Sequence, residues 1–171
     1  MKPTKDNKME KEYTCFFTGH RILPRAKKAM IDELLTKSII NLIENKGVTD
    51  FIAGGSRGFD ILASRAVLRL KEKYPHIKLH MYYPCHNQWN KWPYKDRFEW
   101  HIIKSKCDSF VFLTHENYTP DCMQERNRKM VDDAYYGLCF CIKNSTGTGV
   151  TMKYAQISGR NIENIADMIY E

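Results

Sequence analysis

Short apolar runs alternate with longer amphipathic stretches along most of this chain. Tyr13–Thr18 (YTCFFT) is a continuous apolar run closed by Gly19, the pattern of a buried strand. Pro24 can open a helix at its first turn, and Ile31, Leu34, Leu35, Ile39, Leu42 and Ile43 then recur at helical spacing. Gly47 ends that helix as a C-terminal cap. A second strand, Asp50–Ala53, leads into a helix carrying Leu62, Ala66, Val67 and Leu70 on one face, stopped by Pro75. Ile77–Tyr83 is a third strand, stopped by Pro84. An aromatic loop, Cys85–Tyr94, precedes a helix over Lys95–Lys106, and Ser109–Thr114 forms a fourth strand. Residues 121–134 read as helix and Gly137–Ile142 as a fifth strand. Val150, Tyr154 and Ile157 mark the apolar face of a last helix ended by Gly159, before an edge strand at Asn161–Ile165.

Regular alternation of strand and helix predicts an α/β domain: a mainly parallel sheet covered by helices on both faces, in three layers. Right-handed crossovers bring the loops that follow the strands to one edge, where ligands of such sheets bind. The 171 residues suit one domain over 13–171, preceded by a disordered polar tail over 1–12. That start lacks the apolar core of a signal peptide, and no apolar run approaches a membrane span, which predicts a cytoplasmic protein without a membrane partner. Six cysteines, at 15, 85, 107, 122, 139 and 141, form no CxxC pair and are expected to be reduced thiols. Cys85 with His76, His80 and His86 lacks a fourth ligand at zinc spacing, so no metal is predicted. The net charge of +7 favours anionic partners such as nucleotides or nucleic acid without specifying one.

Two glycine loops carry the candidate chemistry. One is Gly54-Gly55-Ser56-Arg57-Gly58-Phe59-Asp60 and the other Ser145-Thr146-Gly147-Thr148-Gly149. Each joins a strand to a helix, and that junction exposes backbone N–H groups that suit a phosphate. The first is neither the dinucleotide fingerprint nor a Walker A motif. Ser56 is placed to cap the helix or bond a phosphate oxygen, and Arg57 to neutralise phosphate charge. Asp60 has two readings, a helix-dipole partner and a hydrogen bond to a ribose hydroxyl. Trp89, Trp92, Tyr94, Phe98 and Trp100 are interleaved with Lys91, Lys95 and Arg97, which suits stacked bases of single-stranded DNA. The same residues also suit helix packing, since Tyr94, Phe98 and Ile102 recur every fourth position as a core-facing stripe does. Trp89 and Tyr118 are the candidates to stack on a base in a pocket.

These residues resemble the SLOG superfamily of Rossmann-like nucleotide binders (Smf/DprA and Lonely Guy proteins), in its YpsA/YoqJ-like branch of small bacterial and phage proteins. The likeness spans residues 13–166. It rests on Thr18-Gly19-His20-Arg21, the first glycine loop, Gln88 and Trp92, Arg126-Asn127 with Met130-Val131-Asp132, and Thr146-Gly147-Thr148-Gly149 before Tyr154-Ala155. It implies a nucleotide or ADP-ribose-type ligand across the strand ends. Gly54, Gly55 and Gly58 would meet phosphate on one side and Gly147, Thr148 and Gly149 on the other. Arg126 would add charge, with Asn127 beside it, and Thr18, Gly19, His20 and Arg21 would border the pocket. Helical pairing in related folds makes a homo-oligomer an expectation. The Lonely Guy enzymes are nucleoside monophosphate N-glycosidases, with a catalytic glutamate directly after the second glycine motif. Here Val150-Thr151-Met152-Lys153 follows, with no carboxylate. Glu125 and Asp60 remain the candidate carboxylates for an oxocarbenium-like transition state. The departure favours a binding, sensing or sequestering module over an N-glycosidase, and single-stranded DNA stands as a further partner.

Overall fold

The strand beginning TCFF is buried along almost its whole length, as expected of a strand with packed layers on both sides. Phe16 points into a cluster with Met130, Val131, Ala134 and Ala155, while Cys15 and Phe17 point into a larger one with Ile31, Leu35, Phe59 and Ala63. The computed structural model describes residues 8–114, 117–144 and 146–170. Its sheet contains β1 (Thr14–Gly19), β2 (Asp50–Ala53), β3 (Lys78–Tyr83), β4 (Ser109–Phe112), β5 (Tyr136–Phe140) and β6 (Asn161–Asn164). The spatial order is β4-β3-β2-β1-β5-β6 and every neighbouring pair is parallel. The helices α1 (Lys28–Lys46), α2 (Phe59–Leu70) and α3 (Tyr94–Lys106) pack side by side over one face. The helices α4 (Cys122–Asp133) and α5 (Gly147–Ile157) pack together over the other. The architecture is therefore a three-layer α/β fold with a six-stranded, wholly parallel sheet.

Local signals set several boundaries. Pro24 precedes a 3-10 turn, Arg25–Lys27, that leads straight into α1. Gly47 closes α1 in the left-handed region, at φ 70°, which costs a residue without Cβ nothing. Residues 1–7 of the expected tail lie outside the described residues. Its last part, Lys11–Tyr13, is a 3-10 turn, and the Lys11 carbonyl accepts from Tyr135 N at 3.0 Å.

Two expected apolar faces point the wrong way. On α3, Tyr94 and Phe98 are exposed, and Trp100 and Ile103 are the buried residues. At 100° per residue the two sets lie roughly 170° apart around the helix. On α5, Val150 and Ile157 are exposed, whereas Thr148, Gly149, Thr151 and Ala155 are buried. Small residues face the sheet there, so the helix sits close to it.

Among the described residues no helix is long and apolar enough to cross a membrane, and no group of three His, Cys, Asp or Glu side chains could hold a metal ion. All six cysteines are free thiols.

Candidate functional site

The chain runs outward from β1 through β2 and β3 to β4, then returns to place β5 on the other side of β1. This reversal is a topological switch point, where the loops after neighbouring strands part and leave a crevice. A cleft of about 600 Å³ lies there. It is lined by Thr18–Ile22 after β1, Ser56 and Asp60, and Met123, Gln124, Arg126 and Asn127 of α4. Ile142 and Lys143 after β5 and Thr146–Thr148 at the start of α5 complete it.

The first glycine loop is wired to itself. Asp60, only 3% exposed, accepts from Ser56 N at 3.2 Å and from the Gly54 backbone N–H. A helix N-terminus attracts an anion, and here the chain supplies its own. Arg126 is 2% exposed and donates to the carbonyls of Gly54 and Tyr82, to Ser56 Oγ at 3.1 Å and to Asn127 Oδ1 at 2.8 Å. It thereby ties the ends of β2 and β3 to α4. Gln88 continues the network by donating to Gly54 O at 3.3 Å, and Trp100 Nε1 donates to Gln88 Oε1 at 3.3 Å. Burial raises the Asp60 carboxyl to about 6, against the opposing pull of the Arg126 charge. Burial likewise lowers the Arg126 guanidinium from its ordinary value, against the pull of Asp60.

The three glycines of this loop serve packing. Gly54 lies against the Arg126 guanidinium, and a Cβ at Gly55 would meet the Tyr83 ring at 2.6 Å. Gly58 has φ +74° and lies against the Arg21 carbonyl, while Phe59 N donates to His20 O at 3.1 Å. None of the three lines the cleft.

The second loop is arranged differently. Thr146 caps α5 by accepting from Gly149 N at 3.3 Å. Gly149 presses against the Asn144 carbonyl, leaving no room for a side chain. Gly147 and Thr148 hold the first two helical positions, whose N–H groups no carbonyl within the helix can reach. Both line the cleft, with Lys143 beside them. Ser145, the first residue of this loop, lies outside the described residues.

Of the remaining expected site residues, Thr18, Gly19, His20, Arg21, Ser56, Asp60, Arg126, Asn127, Gly147 and Thr148 line this one cleft. His20 Nε2 accepts from Ile142 N at 2.8 Å, and burial with the nearby Lys143 charge lowers its imidazole from the ordinary value. Arg57 is turned away into an ion pair with Asp96 at 2.7 Å. Trp89 packs beside Trp100 and His101 under Arg97. Tyr118 is exposed, its backbone N–H bonded to Asn87 at 2.9 Å. Glu125 is exposed and off the cleft, so Asp60 is the only carboxylate residue among the described residues lining it. In place of stacking aromatics the cleft offers Ile22, Met123 and Ile142. These, with Gln124 and Lys143, escaped sequence reasoning. Lys143 had a usable signal, lying between a strand end and a glycine loop.

A wholly parallel sheet with its cleft at the β1–β5 switch point defines a Rossmann-like protein of the SLOG type. Residues 20–166 match the YspA SLOG family, and the chain belongs to it. A UPF0398 protein of Halalkalibacterium halodurans is 30% identical over 121 residues, covering 70% of this chain and 61% of that protein. The SPbeta prophage-derived protein YoqJ of Bacillus subtilis is 28% identical over 139 residues, covering 75% of this chain and 77% of that one. The chain thus spans about three-fifths of the first relative and three-quarters of the second. The fold is similar to that of DNA processing protein A from Helicobacter pylori, in a structure concerned with its single-stranded DNA binding mode. There the TM-score is 0.63 at 15% identity, over 93% of this chain and 72% of that one. DNA processing protein A from Streptococcus pneumoniae gives 0.62 at 15% identity, over 87% of this chain and 48% of that one.

Proposed function

We propose that this protein binds a nucleotide or nucleotide derivative, of the ADP-ribose type, in the β1–β5 cleft, and acts as a sensor or sequestering module. The observation that carries the reading is the second loop: the free first-turn amides of α5 meet Lys143 and Arg21 at a cleft that also has an apolar wall. Amides and cations suit a phosphate, and Ile22, Met123 and Ile142 suit the face of a base. Binding is favoured over cleavage because the cleft's one carboxylate, Asp60, is already held by loop amides. Chromatography of nucleoside monophosphates after incubation should show no free base; its release would reverse that preference.

A thermal-shift screen of nucleotides, dinucleotides and ADP-ribose tests the reading. A ligand at 100 times its dissociation constant adds about 2.7 kcal/mol of stability, roughly 5–10 °C in a chain of this size. Gly147→Asp sharpens the test. A side chain at Gly147 meets only Gln124, at 3.6 Å, and a carboxylate in the first helical turn favours the helix. The variant should fold as stably as the parent and bind nucleotide at least roughly 10-fold more weakly, a loss of about 1.4 kcal/mol. Unchanged affinity would remove the phosphate from the α5 N-terminus.

One observation favours a second reading, single-stranded DNA. A groove of about 520 Å³ shares Arg21 and Ile22 with the cleft and carries Arg25, Lys28, Arg57, Arg65, Arg69 and Lys95. A basic track leading from a nucleotide cleft suits a strand backbone, and DNA processing protein A has this fold. Affinity for an oligonucleotide should then fall steeply with salt, and affinity indifferent to ionic strength would exclude it.

A further inference from the structure

We infer that His20 is held as the neutral, Nδ1-protonated tautomer and uses that N–H to donate to a phosphate oxygen of the bound nucleotide. This rests on the nucleotide reading above and adds to it which atom of the chain reads the ligand.

The tautomer follows from one bond. Ile142 N lies 2.8 Å from His20 Nε2, and a backbone N–H only donates, so Nε2 must accept. The single proton of the neutral ring is then on Nδ1. The ring's surroundings oppose a second proton. Lys143 from the β5–α5 loop stands close enough to disfavour an imidazolium, and Arg21 and Arg126 face the same cleft, with Asp60 the one acid there.

The ring is also fixed in place. His20 N donates to Phe140 O at 3.1 Å, and His20 O accepts from Phe59 N at 3.1 Å. Its imidazole meets the Phe140 ring edge-on at a centroid distance of 6.0 Å. Residue 20 is therefore clamped between the end of β5 and the start of α2, and its Nε2 is clamped to Ile142. Among the described residues Nδ1 has no protein partner, and His20 lines the cleft. A rigid, uncharged donor on the cleft wall, beside a lysine and opposite a helix N-terminus, suits an anionic oxygen. It cannot serve as a general base through Nε2, whose lone pair is engaged.

Two variants separate the ring's two nitrogens. His20→Gln puts an amide oxygen near the Nε2 position, keeping an acceptor for Ile142 N–H while removing the Nδ1 donor. His20→Asn puts an amide nitrogen near the Nδ1 position and leaves Ile142 N–H without an acceptor. Titration calorimetry with AMP, ADP-ribose, inorganic phosphate and adenosine is the readout. His20→Gln should weaken AMP, ADP-ribose and phosphate roughly 10-fold or more, as expected for a lost bond to a charged group, and leave adenosine unchanged. His20→Asn should hold the phosphate-bearing ligands within a few-fold of the parent while melting lower.

Nitrogen NMR of the free protein tests the tautomer independently of any ligand. A neutral ring with Nδ1 protonated at pH 7 is expected, and an Nε2-protonated or charged ring overturns the assignment. Equal affinity for AMP in the parent and His20→Gln overturns the ligand role alone. An equal loss for adenosine and AMP means that the ring reads sugar or base, which also overturns it. A parent protein that binds no probe removes the nucleotide reading and the ligand role together, whatever the tautomer.

Discussion

The two glycine loops look alike as sequence and do opposite work. In the first, Asp60 takes the loop's own amides, and Arg126 takes the Gly54 carbonyl and the Ser56 hydroxyl. In the second, Thr146 takes only Gly149 N, and the amides of Gly147 and Thr148 are left at the cleft. A glycine-rich strand-to-helix turn is therefore ambiguous until its amides have been accounted for. A carboxylate two residues after the last glycine closes one loop, and its absence leaves the other open.

The largest expected effect comes from breaking the closed loop. Arg126→Met strips two carbonyls and the buried Asp60 of their partner. Removing one member of a buried charged pair costs about 3–5 kcal/mol, or roughly 6–20 °C in melting temperature. Adding Asp60→Asn to that variant should recover part of the loss, since the orphaned charge goes with it. Recovery of nothing would show that Arg126 acts through its carbonyl bonds alone.

Next comes pH. The folded Asp60 carboxyl sits near 6, above its ordinary value of 3.8. The folded state therefore holds its proton more tightly than the unfolded chain does. This contribution to stability is full below about pH 4 and is lost as pH rises toward 6, with a total of up to about 3 kcal/mol. Denaturant unfolding between pH 4 and 7 should show this slope in the parent and lack it in Asp60→Asn. The smallest effect is expected at Arg57, whose partly exposed pair with Asp96 contributes less than about 1 kcal/mol. Arg57→Ala should also leave nucleotide affinity within about two-fold. A larger loss of affinity would bring the first loop back into the site.

Most of the frame could be read from the sequence because its signals are local. Gly47 caps α1, Pro24 precedes the turn that opens it, and apolar runs such as FIA in β2 have no solvent face to alternate with. What could not be read depends on partners distant in sequence. Tyr94, Phe98 and Ile102 have helical spacing, but spacing does not say which side of α3 meets the sheet, and Trp100 and Ile103 meet it instead. Arg57 and Asp96 are brought together only by the packing of α2 against α3. Asp60 offered a dipole role and a ribose role from sequence, and the structure adds a third, as the loop's own anion. Of the site itself, the segment from Thr18 to Arg21 and the Gly147-Thr148 turn were legible. Its apolar wall was not, since Ile22, Met123 and Ile142 belong to no motif.

The Asp60–Arg126 lock lies beneath a rim that it does not share with the cleft's most variable chemistry. Met123, Gln124, Ile142, Lys143 and Thr146 reach the cleft from α4 and from the β5–α5 connection, and none of them bonds to either member of the lock. Such a layout separates what holds the sheet ends together from what a ligand would touch. Divergence can then re-tool the rim one residue at a time, and the scaffold survives each trial. A laboratory library confined to those five positions should accordingly yield mostly folded proteins, making this chain a convenient starting point for selecting new binding preferences.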